Sequence, residues 1–252
     1  MLVYRRIAIR EHRLHRGTTC GVRDGQLRLE NLDVEHDLGA VAAMPLTVGG
    51  SATYNIANLA AAALGAVAFG VPPKTIATAF AEFGARPADN PGRMMRFEVG
   101  GVLVLVDYAH NPDGLRGLLE VAEHLRGGAG RLGLLLGHAG NRQDADIDEL
   151  ARVAAEFSPN LIVVKENEAQ LRGRALGEMP RMIRAALLRS GFPEGALLMA
   201  ESEVAAARCA LDWARPGDVL AMPVHSLQAR SSVLALLGRK GQEAPSNSDR
   251  KL

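Results

Sequence analysis

Side chains that can do chemistry follow an apolar run at the point where a predicted strand gives way to a predicted helix. Residues 102–106 are all valine or leucine, and Asp107, His110 and Asn111 follow them closely. Asn111 is followed by a proline and an acid, which is typical of a helix start. Open α/β sheets bind ligands at the carboxyl ends of their strands, so this turn is predicted to face a ligand. The alternative is that Asn111 only starts the helix and that Asp107 is solvated.

A second candidate loop follows the next predicted strand and runs from Gly137 to Arg142, with His138 and Asn141 inside it. Its glycines would let backbone amides approach an anion, and Arg142 would supply positive charge. The loop matches neither the dinucleotide fingerprint nor a P-loop. A tight turn with an exposed arginine is therefore an equally good interpretation.

A third set of polar residues follows the predicted strand at 160–165. Asn167 lies just after that strand, and Arg172 and Arg174 flank a glycine a few residues later. Two arginines in this arrangement suit bidentate binding of a carboxylate. A cluster of surface charges would have the same sequence, so this assignment also stays open.

Several common kinds of active site have no counterpart in the sequence. Cys20 and Cys209 are far apart, and neither a Gly-x-Ser-x-Gly elbow nor a His-Glu-x-x-His motif is present. Hydrolase and metalloenzyme functions are therefore disfavoured. His225 follows the last predicted strand and could lie near the ligand edge of the sheet, but we expect it to serve at a helix N-terminus.

The composition excludes some classes of partner. The 252 residues are 48% hydrophobic and carry a net charge of +1, so no excess of charge favours nucleic acid or an anionic membrane. Aromatic residues make up 4%, which argues against stacking on single-stranded nucleic acid. No apolar run reaches the roughly 18 residues that a membrane span needs. Two isolated cysteines fit a reducing compartment, and we expect the cytoplasm.

The first part of the chain is predicted to contain short strands and then two helices. Asp24-Gly25 between alternating segments predicts a hairpin, and residues 45–50 are predicted to form a further strand. Helices are predicted at 55–69 and 74–83. Residues 85–92 contain two prolines and are the best linker candidate.

The second part alternates regularly between predicted strands and helices. Such alternation with all-apolar strands indicates a doubly wound, mostly parallel α/β sheet. The strands are predicted at 102–107, 131–137, 160–165, 196–199 and 218–222. The helices are predicted at 112–126, 144–157, 176–190, 202–214 and 226–238. The polar tail at 239–252 is predicted to be disordered.

Four motifs in one order resemble those of the Mur ligase family of ATP-dependent amide-forming enzymes. They are Tyr54–Ala62, Pro91–Met94, Val106–Pro112 and Gly137–Arg142. The resemblance implies a Rossmann-like Mur ligase C-terminal domain at 92–238. It also implies that residues 1–88 form the C-terminal part of an α/β central domain, the ATP-binding domain of the family.

Within the family, the chain is most similar to the ligase portion of cyanophycin synthetases. That similarity rests on Lys165–Asn167, Leu171–Arg174 and the pair Gly177-Glu178. Members that build peptidoglycan precursors typically have Asp-Asn-Pro-Arg where this chain has Glu166–Ala169. They also usually have a glutamate at the position of Met95. These differences argue against diaminopimelate or lysine as the substrate.

The resemblance implies a reaction and a role for each matching residue. ATP would phosphorylate a carboxylate, and the amine of an incoming amino acid or peptide would attack the acyl phosphate to give an amide. Catalytic roles are implied for Asp107 and His110. The residues implied to bind nucleotide are Asn55, Asn58, Arg93, Asp107 and Asn111. The residues implied to face the incoming amino acid are His138, Asn141, Arg142, Asn167, Arg172 and Arg174.

One motif of the family is missing from these residues. The sequence contains no P-loop ending in Gly-Lys-Thr or Gly-Lys-Ser, which in the family holds the β- and γ-phosphates. The resemblance implies ATP and Mg²⁺ as cofactors, with their main phosphate and metal ligands outside this chain. We therefore expect a ligase fragment that is inactive alone and needs a central-domain partner, or that self-associates through a bare sheet edge.

Two other classes of function remain for comparison. A non-catalytic module that binds nucleotide or amino acids for regulation would keep the sheet and its polar edge. A nicotinamide oxidoreductase would fit the fold, but no Gly-x-Gly-x-x-Gly follows any predicted strand.

Overall fold

The computed structural model describes residue 12 and residues 17–31, 34–128 and 130–243, with side chains up to residue 239. The chain divides into two compact units, the first ending at Asp89 and the second beginning at Asn90. The assignment of these units to a central and a C-terminal ligase domain stays a prediction.

Within residues 17–31 and 34–89, the first unit contains a three-stranded antiparallel sheet and two α-helices. Strands β1 (Thr19–Arg23), β2 (Gln26–Asn31) and β3 (Val34–Ala40) lie in that order. Asp24 and Gly25 both have positive φ and join β1 to β2, which confirms the predicted hairpin. Strand β3 was not predicted, because its charged Glu35 and Asp37 obscure the alternation.

The predicted strand at 45–50 is wrong, because these residues begin with a short 3-10 turn, Pro45–Thr47. Pro45 has no N–H for a strand ladder. The Thr47 hydroxyl lies 2.6 Å from the carbonyl oxygen of Val41, and Val48 has a φ of +52°. These contacts turn the chain toward the first helix.

Helices α1 (Thr53–Ala68) and α2 (Pro73–Glu82) follow this turn, and both were predicted. They cover the sheet through a cluster of buried apolar side chains that includes Leu27, Leu29, Leu59, Ile76 and Phe80. Burial of such side chains is the main source of stability in a unit of this size.

The second unit is built on a six-stranded sheet. Its strands are β4 (Met95–Val99), β5 (Val102–Asp107), β6 (Leu132–Leu136), β7 (Leu161–Lys165), β8 (Leu197–Ala200) and β9 (Val219–Pro223). They lie in the order β4-β5-β9-β6-β7-β8, with every neighbouring pair parallel except β4 and β5. The predicted mostly parallel α/β sheet is confirmed. The antiparallel edge strand β4 was not predicted.

Five helices cover this sheet: α3 (Pro112–Arg126), α4 (Asp144–Glu156), α5 (Glu178–Arg189), α6 (Glu203–Trp213) and α7 (Leu227–Glu243). Helices α6 and α7 share one core with strand residues such as Val104, Leu135 and Met222. The alternate strand residues, such as Leu105 and Leu134, are also fully buried and face the other side. There α3, α4 and α5 contact one another and the strands β6, β7 and β9.

Helix α7 is longer than expected. It continues to Glu243, so the prediction of disorder is wrong for residues 239–243. The rest of the predicted tail, 244–252, lies outside the described residues. Within the part of the chain that the structure covers, no helix combines the length and the apolar character needed to cross a membrane.

The strand order determines where the polar loops meet. Strands β5, β9, β6 and β7 are consecutive neighbours and all parallel, so their carboxyl ends emerge along one edge of the sheet. The loops that follow these four strands are the ones that carry the polar motifs of the second unit.

Candidate functional site

An open cleft of about 280 Å³ lies between the loops that follow β5, β6, β7 and β9. Six of the residues predicted from the sequence line it: His110, His138, Asn141, Arg142, Asn167 and Arg172. The other lining residues are Tyr108, Ala139, Gln170 and His225. No carboxylate is among the described residues that line this cleft, so its surface is rich in hydrogen-bond donors and positive charge.

Asp107 ends β5 beside the cleft, and both of its carboxylate oxygens accept backbone amides. The N–H of Met94 donates over 2.6 Å and the N–H of Ala109 over 2.7 Å. Burial raises the pKa of Asp107, although these amides and the charge of Arg93 act in the opposite direction. The predicted catalytic residue therefore holds two segments of backbone together, and its ligand role stays a prediction.

Tyr108 lies at the centre of a group of side chains that contact its ring. The Arg93 guanidinium is 4.9 Å from the centre of the Tyr108 ring, a cation–π contact. The ring of His110 lies 5.0 Å from Tyr108, and His225 meets it edge-on at 5.6 Å. This arrangement links Arg93, which the sequence predicted to contact nucleotide, to the wall of the cleft.

Asn111 has a structural function at the start of α3. Its side-chain oxygen accepts the N–H of Gly114 over 2.7 Å, which confirms the predicted N-cap. The side chain does not line the cleft. Its predicted contact with nucleotide stays a prediction.

The loop after β6 is fastened to the loop after β7. The N–H of Gly140 donates to the carbonyl of Gln170 over 2.8 Å. Any Cβ at Gly140 would clash with the backbone carbonyl of Leu171, so only glycine fits there. The two loops consequently form one connected wall of the cleft.

Arg174 completes this connection and does not line the cleft. Its guanidinium donates to the carbonyls of Gly140, over 2.7 Å, and Arg142, over 3.1 Å, and also to the carboxylate of Glu178. The sequence predicted a contact with the incoming amino acid. That contact stays a prediction, and in the structure this arginine lies against the backbone of the neighbouring loop.

Arg142 and Arg172 differ from Arg174, and from each other, in their burial and in their hydrogen bonds. The Nε of Arg142 is buried and, among the described residues, has no hydrogen-bond partner. Arg172 is exposed and donates only to the neutral amide of Gln170 in the bonds seen, over 2.8 and 3.2 Å. The buried Nε of Arg142 favours a ligand that accepts a hydrogen bond, because a buried donor without a partner is costly, and the positive charge of both arginines favours an anion.

His138 is a neutral donor in the cleft. Burial, followed by the charge of Arg142, lowers the pKa of His138 to about 4. Its Nδ1 accepts the N–H of Ala139 over 3.1 Å, which assigns the proton of the neutral ring to Nε2.

A buried ion pair lies behind the cleft and was not found from the sequence. Lys165 is fully buried at the end of β7, and its Nζ pairs with the carboxylate of Glu203 at the start of α6. Burial lowers the pKa of Lys165, while Glu203 opposes the shift. Burial acts to raise the pKa of Glu203, but Lys165 and two backbone amides lower it overall. A lysine ending a buried apolar strand was the available signal.

His225 also differs from expectation. It precedes α7, as predicted, but its side chain is 6% exposed and lies in the cleft wall rather than at a helix end. Burial lowers the pKa of His225 to about 3, and Lys165 adds to the effect. The sequence could not place it, because its partners lie on β7 and α6 and after β5.

Asn55 and Asn58 belong to the first unit. Asn55 is buried, and its amide donates to the carbonyl of Leu46 over 2.9 Å, which fixes the 3-10 turn to α1. Asn58 is exposed and donates to Asn55 over 3.4 Å. Their predicted contacts with nucleotide stay predictions.

Among the residues that the structure describes, the cleft offers no carboxylate ligand for Mg²⁺. No group of three or more histidine, cysteine, aspartate or glutamate side chains in these residues could hold a metal ion. The buried carboxylates near the cleft, Asp107 and Glu203, already accept backbone amides. No step of the chemistry is therefore assigned to a metal held by this part of the chain.

Comparisons with known proteins identify the family to which the chain is similar. A family model described as "Mur ligase, glutamate ligase domain" matches residues 92–222. The cyanophycin synthetase of Synechocystis sp. is 35% identical over 169 residues, which are 67% of this chain and 19% of that protein. The cyanophycin synthetase of Trichormus variabilis is 30% identical over 239 residues, 93% of this chain and 26% of that protein. The chain thus spans about a quarter or less of these two relatives.

Solved structures share the fold. Escherichia coli FolC in complex with DHPP and ADP has a TM-score of 0.60 and 18% identity, covering 88% of this chain and 46% of that chain. The UDP-N-acetylmuramate-alanine ligase MurC of Thermotoga maritima has a TM-score of 0.58 and 16% identity, covering 90% and 46%. At these identities the match concerns the fold alone.

Proposed function

Because this chain belongs to the Mur ligase family, we propose that it forms part of an ATP-dependent ligase that joins a carboxylate to the amine of an incoming amino acid or peptide. The observation that carries this proposal is the cleft itself, which lacks carboxylates among its described lining residues and contains the unpartnered Nε of Arg142. Such a surface suits the carboxylate of an amino acid together with the phosphate of an activated acid.

The residues of the cleft would bind and orient, while bound ATP would supply the phosphoryl group that activates the acid. Arg142 and Arg172 would hold the carboxylate of the incoming amino acid through their free donors. The amine would then attack the acyl carbon, so that a C–N bond forms, the C–O bond to phosphate breaks, and phosphate leaves with the proton that the nitrogen loses. Neutral His138 would donate its Nε2–H to an oxygen that gains charge in this step.

Asp107 and His110 would contribute in different ways. Asp107 would act through the backbone that it holds, since both of its oxygens are occupied. His110 would act at the cleft, which it lines together with Tyr108. Asn141 and Asn167, which also line it, would add neutral hydrogen-bonding groups for the amino acid.

We further propose that the grip on the β- and γ-phosphates comes from another polypeptide segment. The 252 residues contain no P-loop, and the Escherichia coli FolC structure that shares this fold contains ADP. Arg93, whose guanidinium lies over the Tyr108 ring, would add a contact to the nucleotide. This chain would then bind ligands but not turn over ATP by itself.

Isothermal titration of the full chain tests this proposal. A panel of free L-amino acids and ATP would be titrated into wild type, Arg142→Ala and Arg189→Ala. Arg189 is the matched control, because it is exposed and pairs with Asp148 away from the cleft. We expect at least one amino acid to bind, about tenfold more weakly to Arg142→Ala and unchanged to Arg189→Ala.

Two outcomes would count against the proposal. Equal affinity of the wild type and Arg142→Ala would remove the cleft from amino-acid binding. Binding of the amino acid without amide formation, even when a P-loop-bearing ligase half is supplied, would favour a non-catalytic binding or regulatory module.

A further inference from the structure

His225 connects the ends of three strands. His225 itself follows β9 in the chain, and its Nε2 lies 3.0 Å from the carbonyl oxygen of Ala109 in the turn after β5. Its Nδ1 lies 3.4 Å from the Nζ of Lys165 at the end of β7. One side chain thus contacts both the turn after β5 and the end of β7.

These contacts determine the tautomer of the ring. A carbonyl oxygen only accepts hydrogen bonds, so Nε2 must carry the proton that it donates to Ala109. The ammonium of Lys165 only donates, so Nδ1 must be the unprotonated acceptor. The side-chain amide of Asn167 lies 3.5 Å from the same Nδ1. Only the Nε2–H tautomer of His225 can both donate to the carbonyl of Ala109 and accept from Lys165.

Glu203 fixes the backbone of the same residue. One carboxylate oxygen accepts the N–H of His225 over 2.8 Å and also pairs with Lys165, and the other accepts the N–H of Ser226 over 2.8 Å. The ion pair therefore holds both the main chain and the ring of His225. Because Lys165 and Glu203 are almost completely buried, this support is shielded from solvent.

We propose that His225 is a positioning residue of the ligase reaction: held in one tautomer between the Lys165–Glu203 pair and the Ala109 carbonyl, it fixes the turn that carries Tyr108 and His110 against the cleft. The edge-on contact of its ring with Tyr108 supports the same turn. The effect of His225 on the ligase reaction rests on the proposed function. The tautomer and the contacts of its ring do not depend on any ligase activity.

Nitrogen-15 NMR of the histidine rings in the full chain tests that premise. The charged and titratable groups that face the ring are Lys165, Glu203, His138 and Tyr108. We expect the His225 Nδ1 to be unprotonated and Nε2 protonated, with no titration between about pH 8 and about pH 5. A ring protonated at Nδ1, or one that titrates in this interval, would overturn the proposal whether or not the chain is a ligase.

Two variants test the positioning role. His225→Gln keeps an amide donor that can reach Ala109 and an oxygen that can accept from Lys165. His225→Phe keeps a ring against Tyr108 but loses both hydrogen bonds. We expect His225→Phe to bind the amino acid found by titration, or inorganic phosphate if none is found, about tenfold more weakly, and His225→Gln to restore most of this loss. Faster hydrogen exchange of the amides of residues 108–111 is expected only in the phenylalanine variant.

Arg131→Leu is the control for loss of stability. Arg131 pairs with Asp218 away from the cleft, so this variant weakens the same unit without touching the candidate site. It should bind the probe as the wild type does. The proposal would be contradicted if His225→Phe kept the hydrogen exchange and the affinity of the wild type. It would also be contradicted if Arg131→Leu bound the probe as weakly as His225→Phe does.

Discussion

The carboxylate of Asp107 accepts the backbone N–H of Met94 over 2.6 Å. Met94 has a φ of +46°, in the left-handed region that non-glycine residues rarely adopt, and it directly follows Arg93. The end of β5 therefore stabilises an unfavourable backbone conformation at the residue next to this arginine. This bond explains how a buried acid can influence the cleft without lining it.

Replacement of Asp107 by alanine should destabilise the second unit. The variant leaves the amides of Met94 and Ala109 without their acceptor, and we expect the free energy of unfolding to fall by about 2–3 kcal/mol. Urea denaturation measures the effect. Asp113→Ala is the control, since Asp113 is exposed in the first turn of α3 and should cost only about 0.5 kcal/mol. Equal costs would show that the two hydrogen bonds are unimportant.

Gly140 should tolerate no side chain. In Gly140→Ala the new methyl group meets the backbone of Leu171, so the two loops must separate, at a cost of about 2 kcal/mol or more. Thermal unfolding and ligand titration should both detect the change. Gly128 has open space around it and no positive φ, so Gly128→Ala should behave as the wild type. A neutral Gly140→Ala would mean that the loops are not fastened together.

Lys165 and Glu203 should be strongly coupled. Lys165→Met leaves a buried carboxylate without its counter-ion, and we expect a loss of about 3–5 kcal/mol. The double variant Lys165→Met with Glu203→Gln removes both charges and should recover much of that loss. A double-mutant cycle by chemical denaturation gives the coupling energy. Additive effects would contradict the assigned pair.

Stability should fall with acid because His138 resists protonation in the folded chain. Its folded pKa is about 4, while the unfolded value is near 6.5. Below about pH 6.5 His138 binds a proton in the unfolded state but not in the folded state. The contribution of His138 to the free energy of unfolding is therefore lost as the pH falls, by on the order of 2 kcal/mol at pH 5. Melting temperatures from pH 7 to pH 5 should decline less in His138→Gln than in the wild type.

Local patterns were sufficient for most of the fold. The apolar strand at Val102–Asp107 and the capped start of α3 at Asn111 are encoded by neighbouring residues, so the sequence revealed both. The short edge strand β4 was missed because an alternating segment of five residues carries little signal. The 3-10 turn at Pro45–Thr47 depends on hydrogen bonds of Thr47 to earlier carbonyls, which no local pattern shows.

The site was predictable where topology alone brings residues together. Arg142, Asn167 and Arg172 meet because they follow adjacent parallel strands. The tasks of Asp107 and Arg174 depend on backbone groups 13 and 34 residues away, respectively. Lys165 finds Glu203 across 38 residues. Such pairings are three-dimensional, so the types and spacing of the residues could not reveal them.

The fastening of the loop after β6 to the loop after β7 has a consequence for changing what the cleft recognises. The N–H of Gly140 donates to the carbonyl of Gln170, and the carbonyls of Gly140 and Arg142 accept from Arg174. The conformation of each loop therefore depends on the other loop. A transplant of residues 137–142 alone between relatives would carry side chains without the surface that orients them. Residues 137–142 and 166–178 therefore behave as one structural unit. We expect a change of ligand specificity to succeed when both segments are transferred together between relatives.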